Sequence, residues 1–344
     1  MIVSHIKDSQ NLNTNDKNGK IMHIETIKIE GLWGKYQINW HLNPDVNILA
    51  GINGSGKSTV LNLMAGILRG GDFVGISNVD ESVDGGEIAF NDNKIIKFIS
   101  TPKTEKDMPE NIQKFFSDIQ ARNITLRITT TNFKGFENKN LENISDIIKI
   151  NRISTFEQPL KIKDISQTQY LPEKVETDLD YQIFELQRTY LSYQITLSKR
   201  IEQAFLESEH LDTKAKREEI YGKKELFLKT INQFFGQTGK TIDSDKNNEI
   251  VFRQEDKILT PYQLSSGEKQ VLIILLSVLI QDNAPYILIM DEPEISLHVE
   301  WQEELIKVIR SLNNNVQVIL ATHSPSLVMN GWLDKITNME DITS

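Results

Sequence analysis

Nine consecutive residues, Gly51-Ile52-Asn53-Gly54-Ser55-Gly56-Lys57-Ser58-Thr59, constrain this chain more than any other stretch. They follow an apolar run, VNILAG at 46–51, of the kind that suits a strand buried on both faces of a sheet. They open a helix predicted over about 57–68, which the pair Gly70-Gly71 stops. Strand, glycine-rich turn and helix in that order are the setting that the pattern GxxxxGK[ST] requires. Glycine permits positive φ and lets the backbone wrap an anion with no Cβ in the way. The open N–H groups and the positive end of the helix dipole favour negative charge there. Lys57 adds a point charge suited to β- and γ-phosphates, and the Ser58 hydroxyl suits Mg²⁺. Asn53, Gly54, Ser55, Gly56, Lys57, Ser58 and Thr59 are therefore candidate ligands of a nucleoside triphosphate.

A second apolar stretch, YILIMDEP at 286–293, ends in two acids. At the mouth of a parallel sheet, Asp291 would hold the hydration shell of Mg²⁺. Glu292 would sit beside the γ-phosphate and accept a proton from attacking water. Adjacent carboxylates at a strand end are also common in solvated turns, so the pair takes its meaning from the phosphate loop.

LSSGEKQ at 264–270 introduces the apolar run 271–280. Ser265 followed three positions later by Glu268 is a capping box, and a well-capped core helix is the plainer reading. Yet LSSGEKQ resembles the LSGGQ signature of ABC-class ATPases, with Ser266 where the first glycine usually stands. ILATHSP at 319–325 resembles their switch-histidine strand, and the four motifs stand in that family's order. DEPEISLHVEWQ at 291–302 and ATHSP are most similar to the RecF-, SMC- and OLD-like group (AAA_21 and AAA_15 types), which includes standalone ATPases of bacterial antiphage defence systems.

That resemblance implies an α/β P-loop NTPase of ABC/SMC-head type. Its expected parts are a mixed central sheet flanked by helices, an antiparallel β subdomain and an inserted α-helical lobe. It implies ATP with Mg²⁺ as the ligands, and hydrolysis to ADP and phosphate. Ser265 and Gly267 would contact the γ-phosphate held by a second copy, giving a homodimer or higher oligomer through ATP that turns over slowly and then separates. His323 would contact the γ-phosphate of its own site. A Mg²⁺-sensing glutamine is expected after a central strand, with Gln158 the candidate. Trp33 and Tyr36 are candidates for stacking on the base, or for the core. Ser296-Leu297-His298 lacks the aspartate found after this point in transporter ATPases, which puts communication between paired sites in doubt.

The rest of the chain fits one domain over 22–344 behind a polar tail, 1–21, expected to be flexible. Residues 22–160 would form a lobe with the phosphate loop, 161–262 a mainly helical insertion, and 263–344 a lobe with the other three motifs. Strands are predicted over 24–29, 36–42, 124–131 and 148–156. Ile183, Leu186, Tyr190, Tyr193, Leu197, Ile201 and Phe205 form one helical stripe, followed by a break at 208–212 and a second helix towards 235. The stripe reads as a hairpin packed on the core, or alternatively as a partner surface.

Composition narrows the function. A formal charge of −10 argues against indiscriminate DNA binding, although a local basic groove built from Lys214, Lys216, Arg217, Lys223 and Lys224 stays open beside the plainer solvated helix face. Zero cysteines exclude disulfides and thiolate metal sites and suit a cytoplasmic setting. No apolar run approaches the ~20 residues of a membrane-spanning helix. The expectation is a nucleotide-driven switch controlling a partner effector, in phage defence or DNA transactions. OLD-like nucleases carry a Toprim domain after the ATPase, whereas only residues 324–344 follow His323 here, so the effector is expected to be a separate nuclease or toxin chain. The alternatives are a RecF-like DNA-binding clamp without an effector, and the ATPase subunit of a transporter, which would need a membrane partner.

Overall fold

The computed structural model describes residues 21–68, 83–100, 126–131, 149–153, 174–207 and 212–344. The expectations for the tail before Ile21, for Gln158 and for the helix break at 208–211 lie outside the described residues.

Three of the apolar runs become neighbouring parallel strands: β3 (Val46–Ala50), β12 (Val316–Ala321) and β11 (Tyr286–Asp291). Strands β7 (Lys149–Ile153) and β13 (Ile336–Asn338) flank them, in the order β13-β3-β12-β11-β7, and every pairing is parallel. Their side chains alternate between two apolar layers. Leu288, Met290, Val318 and Leu320 face one layer, while Ile287, Ile289 and Ile319 face the other. Burial on both faces is why these runs are continuously apolar.

The second layer contains helix α1 (Lys57–Leu68) and an antiparallel sheet. That sheet orders β1 (Ile24–Leu32), β2 (Tyr36–His41), β4 (Gly85–Phe90), β5 (Ile95–Ser100) and β6 (Leu126–Thr131) as β2-β1-β4-β5-β6, and it is the expected β subdomain. A buried glutamine joins the two sheets. Gln317 Oε1 accepts from Ile24 N at 2.9 Å, and its Nε2 donates to the carbonyls of Ile24 and Asn43 at 2.8 Å each. A polar side chain so deep is tolerated because its hydrogen-bonding capacity is met.

The first layer holds the hairpin of helices α2 (Asp178–Glu207) and α3 (Thr213–Phe235) together with α4 (Ser266–Leu279) and α5 (Val299–Leu312). Ile183, Tyr190, Tyr193 and Leu197 of the predicted stripe are buried in this layer, so the hairpin packs on the core. The segment expected to be mainly helical to 262 departs from that after α3. It continues as a three-stranded antiparallel sheet of β8 (Lys240–Ser244), β9 (Ile250–Gln254) and β10 (Lys257–Leu259), which buries Ile242, Ile250 and Phe252 against the lobe. These strands are short and bury one face only, so their apolar signal is weak. Among the described residues no helix is long and apolar enough to cross a membrane.

Candidate functional site

Strands β3, β12 and β11 lie side by side and parallel, with Leu49, Ala321 and Asp291 in register. The turns that follow them therefore emerge together at the carboxyl edge of the sheet, where open α/β sheets bind ligands. One turn carries residues 51–56, the next Thr322 and His323, and the third Asp291 to Glu294.

The phosphate loop is shaped by its glycines. At Gly56 φ is +103°, and an added Cβ would stand 2.9 Å from the Trp33 ring, so both backbone and space exclude a side chain. Lys57 is 4% exposed, and its ammonium donates to the carbonyls of Gly51 at 2.9 Å and Ile52 at 3.0 Å. Burial lowers its pKa below the usual 10.5, while the carboxylates of Glu292, Asp291 and Glu294 partly offset that shift. Asn53, Gly54 and Ser58 are exposed along the loop, and Ser55 and Thr59 are half-buried.

Ser58 Oγ donates to Asp291 Oδ1 at 3.0 Å across the strand ends. A hydroxyl and a carboxylate facing one another form an all-oxygen donor set that suits Mg²⁺, which binds few protein ligands and completes its shell with water and phosphate. Glu292 adopts a left-handed φ of +48° and its N–H donates to Ala321 O at 2.8 Å. A non-glycine residue in that region is sparsely populated and is held by its surroundings. Its Oε1 lies 3.6 Å from His323 Nε2. Lys57, Ser58, Asp291, Glu292 and His323, which are scattered over the sequence, are thus brought together.

Ser265 is not part of that cluster. It is exposed and caps α4: its N–H donates to Glu268 Oε2 at 3.0 Å, its hydroxyl donates to the same oxygen at 3.0 Å, and it accepts from Glu268 N at 3.4 Å. The capping-box reading of LSSGEKQ is realised. Gly267 is buried against the turn that follows Glu292, with an added Cβ only 2.1 Å from Ser296 O. Gln270 Nε2 donates to Pro293 O at 3.0 Å. The exposed serine turn is therefore tied to the carboxylate turn of its own chain.

Sequence reasoning assigned no role to Glu294, Gln270, Thr322 or Gln302, although all four lie within the motifs. Glu294 Oε1 accepts from Thr322 Oγ1 at 2.6 Å and from His323 N at 2.9 Å. No spacing rule signals such a contact, because it joins two strand ends. Trp33 is exposed, whereas Tyr36 is half-buried and packs against the second apolar layer; both line a cavity of about 340 Å³ together with Gly54, Ser55, Met339 and Glu340. Their rings meet edge to face at 6.2 Å. Most of the basic cluster is tied down locally. Lys216 pairs with Glu219 at 2.9 Å and Arg217 with Glu225 at 3.4 Å, Lys224 donates to Gln194 at 2.7 Å, and Lys223 donates to the Ser311 carbonyl.

A phosphate loop, a carboxylate turn and a histidine turn at one sheet edge, with a capped signature helix beside them, define a P-loop ATPase of the ABC/SMC-head class. The fold agrees, matching a crystal structure of an SMC head bound to the C-winged helix domain of ScpA over 90% of this chain and 92% of that one, with a TM-score of 0.50 and 14% identity. The chain belongs to the AAA_21 family, described as "AAA domain, putative AbiEii toxin, Type IV TA system", which it matches over residues 46–330. It is 24% identical to the Septu protein PtuA of Bacillus thuringiensis over 336 residues, 91% of this chain and 74% of that protein. It is 28% identical to the "Retron Ec83 probable ATPase" of Escherichia coli over 103 residues, 25% of this chain. The chain spans 13% of a Dictyostelium discoideum relative and 19% of the retron protein.

Proposed function

We propose that this chain binds ATP with Mg²⁺ at the carboxyl edge of the parallel sheet and hydrolyses it when a second copy closes over the site. The observation that carries the reading is the meeting of Lys57, the Ser58–Asp291 pair and the Glu292–His323 pair at three adjacent strand ends.

Lys57 would exchange its two loop carbonyls for phosphate oxygens. Mg²⁺, held by Ser58 and Asp291, would neutralise charge on the terminal phosphates. Glu292 would take the proton of the attacking water, and His323 would donate a hydrogen bond towards the γ-phosphate. The base would lie in the cavity between Trp33 and the 339–343 segment. Ser265 of the second copy would supply a hydroxyl, and Gly267 a backbone N–H, to the terminal phosphate. Donors supplied in trans to a phosphoryl group are worth on the order of 10³–10⁵ in rate. The exposure of Ser265 on its capped turn supports that role.

Joining of two copies would then report the nucleotide state to an effector, a separate nuclease or toxin chain, in phage defence. The likeness to PtuA and to the retron ATPase, and the family's description, support this reading. Glu292→Gln tests the reading. It should still bind ATP, lose hydrolysis by about 10²–10⁴-fold and accumulate the dimer on size-exclusion chromatography with light scattering. A variant that stays monomeric at saturating ATP would remove the second copy from the account.

A further inference from the structure

We propose that Glu294 is a positioning residue for His323, an inference that rests on the ATP-hydrolysing reading of the site. Glu294 stands two positions after Glu292 on the turn that follows β11, and its side chain crosses to the turn that follows β12. There Oε1 accepts the Thr322 hydroxyl at 2.6 Å and the backbone N–H of His323 at 2.9 Å. Both bonds run to a carboxylate, and such bonds are stronger and more directional than neutral ones.

The two bonds belong to a closed ring. Thr322 Oγ1 accepts from Ser324 N at 2.9 Å, and Ser324 Oγ donates to Gln302 Oε1 at 2.6 Å. Gln302 Nε2 then donates to Glu294 O at 3.3 Å and to Leu297 O at 2.9 Å. His323 is therefore gripped by its own N–H and by both chain neighbours, while its imidazole projects from the ring. Gln302 and Thr322 are buried, so water does not compete for these bonds. Glu292 is fixed to the same strand pair through its N–H bond to Ala321 O at 2.8 Å. One carboxylate thus sets the imidazole relative to the acid 3.6 Å away.

Misplacing a reacting group by about 1 Å can cost on the order of 10²-fold in rate without touching the chemistry. Glu294→Ala should lower kcat by about 10- to 100-fold, while its ATP Kd should not weaken, because a negative charge near Lys57 has been removed. Glu294→Gln keeps the Oε1 acceptor and should restore kcat to within about fivefold of the parent. In a His323→Ala background, Glu294→Ala should add no more than about a twofold loss. Thr322→Val, at nearly constant volume, removes the hydroxyl's bond to Glu294 and the bond it accepts from Ser324 N while leaving the Glu294 bond to His323 N, and should give a loss of the same kind if the alanine variant folds poorly. A readout independent of turnover is the ring resonance of His323 among the six histidines, observed in ¹³C-histidine-labelled protein. It should shift or broaden in Glu294→Ala and stay in place in Glu294→Gln.

The inference is overturned if the loss is undiminished in the His323→Ala background, if the Gln variant is as slow as the Ala variant, or if the His323 resonance ignores Glu294→Ala. Those results leave ATP hydrolysis by the parent chain and its loss in Glu292→Gln untouched. A parent chain that hydrolyses no ATP would instead defeat the functional reading, and the resonance would still decide whether Glu294 holds His323.

Discussion

Gly267 and Ser296 are packed so closely that a β-carbon on Gly267 would stand 2.1 Å from the Ser296 carbonyl oxygen. The obstacle is backbone in the same chain, so it cannot swing aside as a flexible side chain would. The glycine proposed above as a phosphate donor to another copy is thus also required for the fold of its own chain.

Gly267→Ala should therefore destabilise the nucleotide-free chain by about 1–3 kcal/mol, the range for overpacking a well-filled site. Thermal unfolding without ATP measures it. Ser265→Ala loses only a helix cap, about 0.5–2 kcal/mol, and is the cleaner probe of donation to a second copy. An alanine variant of Gly267 that melts with the parent would contradict the contact.

Glu268 gives a pH-dependent prediction. Burial alone would raise its pKa, but the Lys240 ammonium at 2.9 Å, the Ser265 N–H and the Thr238 and Ser265 hydroxyls outweigh burial and hold it below the ordinary 4.5. A depressed carboxylate contributes stability that is present above its unfolded pKa and lost as pH falls through its folded pKa. Glu268→Gln should cost about 1.5–3 kcal/mol near neutrality, and the gap to the parent should close as pH falls below 4.5. Urea unfolding across that range checks the sign. A gap that widens in acid would be the wrong sign.

Trp33 offers a way to separate base from phosphate recognition. If its indole flanks the base, Trp33→Ala should weaken ATP by about 1–3 kcal/mol, the worth of stacking one base. Inorganic tripolyphosphate, which has no base, should bind the variant and the parent alike. Equal losses for both ligands would mean that the ring acts only by shaping the loop at Gly56.

Much of the site was legible because its parts are local. The strand, loop and helix over 46–68 follow from an apolar run, spaced glycines and a helix start, and Ser265 with Glu268 announced a capped helix whatever else it does. Residues 240–259 were not legible as a sheet, since three short strands that bury single residues such as Ile242 and Phe252 carry little periodic signal. Glu294 was in plain view after Asp291 and Glu292, but its partner Thr322 lies on the turn after another strand.

The amino-acid sequence alone determined the elements around the site and the chemical types, because both depend on neighbours a few positions apart: glycines that admit a phosphate, apolar strands buried on both faces, acids at a strand end. The tertiary structure decided which of these meet. The strand order β3-β12-β11 sets the histidine turn between the lysine loop and the carboxylate turn, and Glu294 closes the gap. Such contacts join residues far apart along the chain, where hydrogen-bond geometry and packing in three dimensions, with no local pattern to record them, choose the partner.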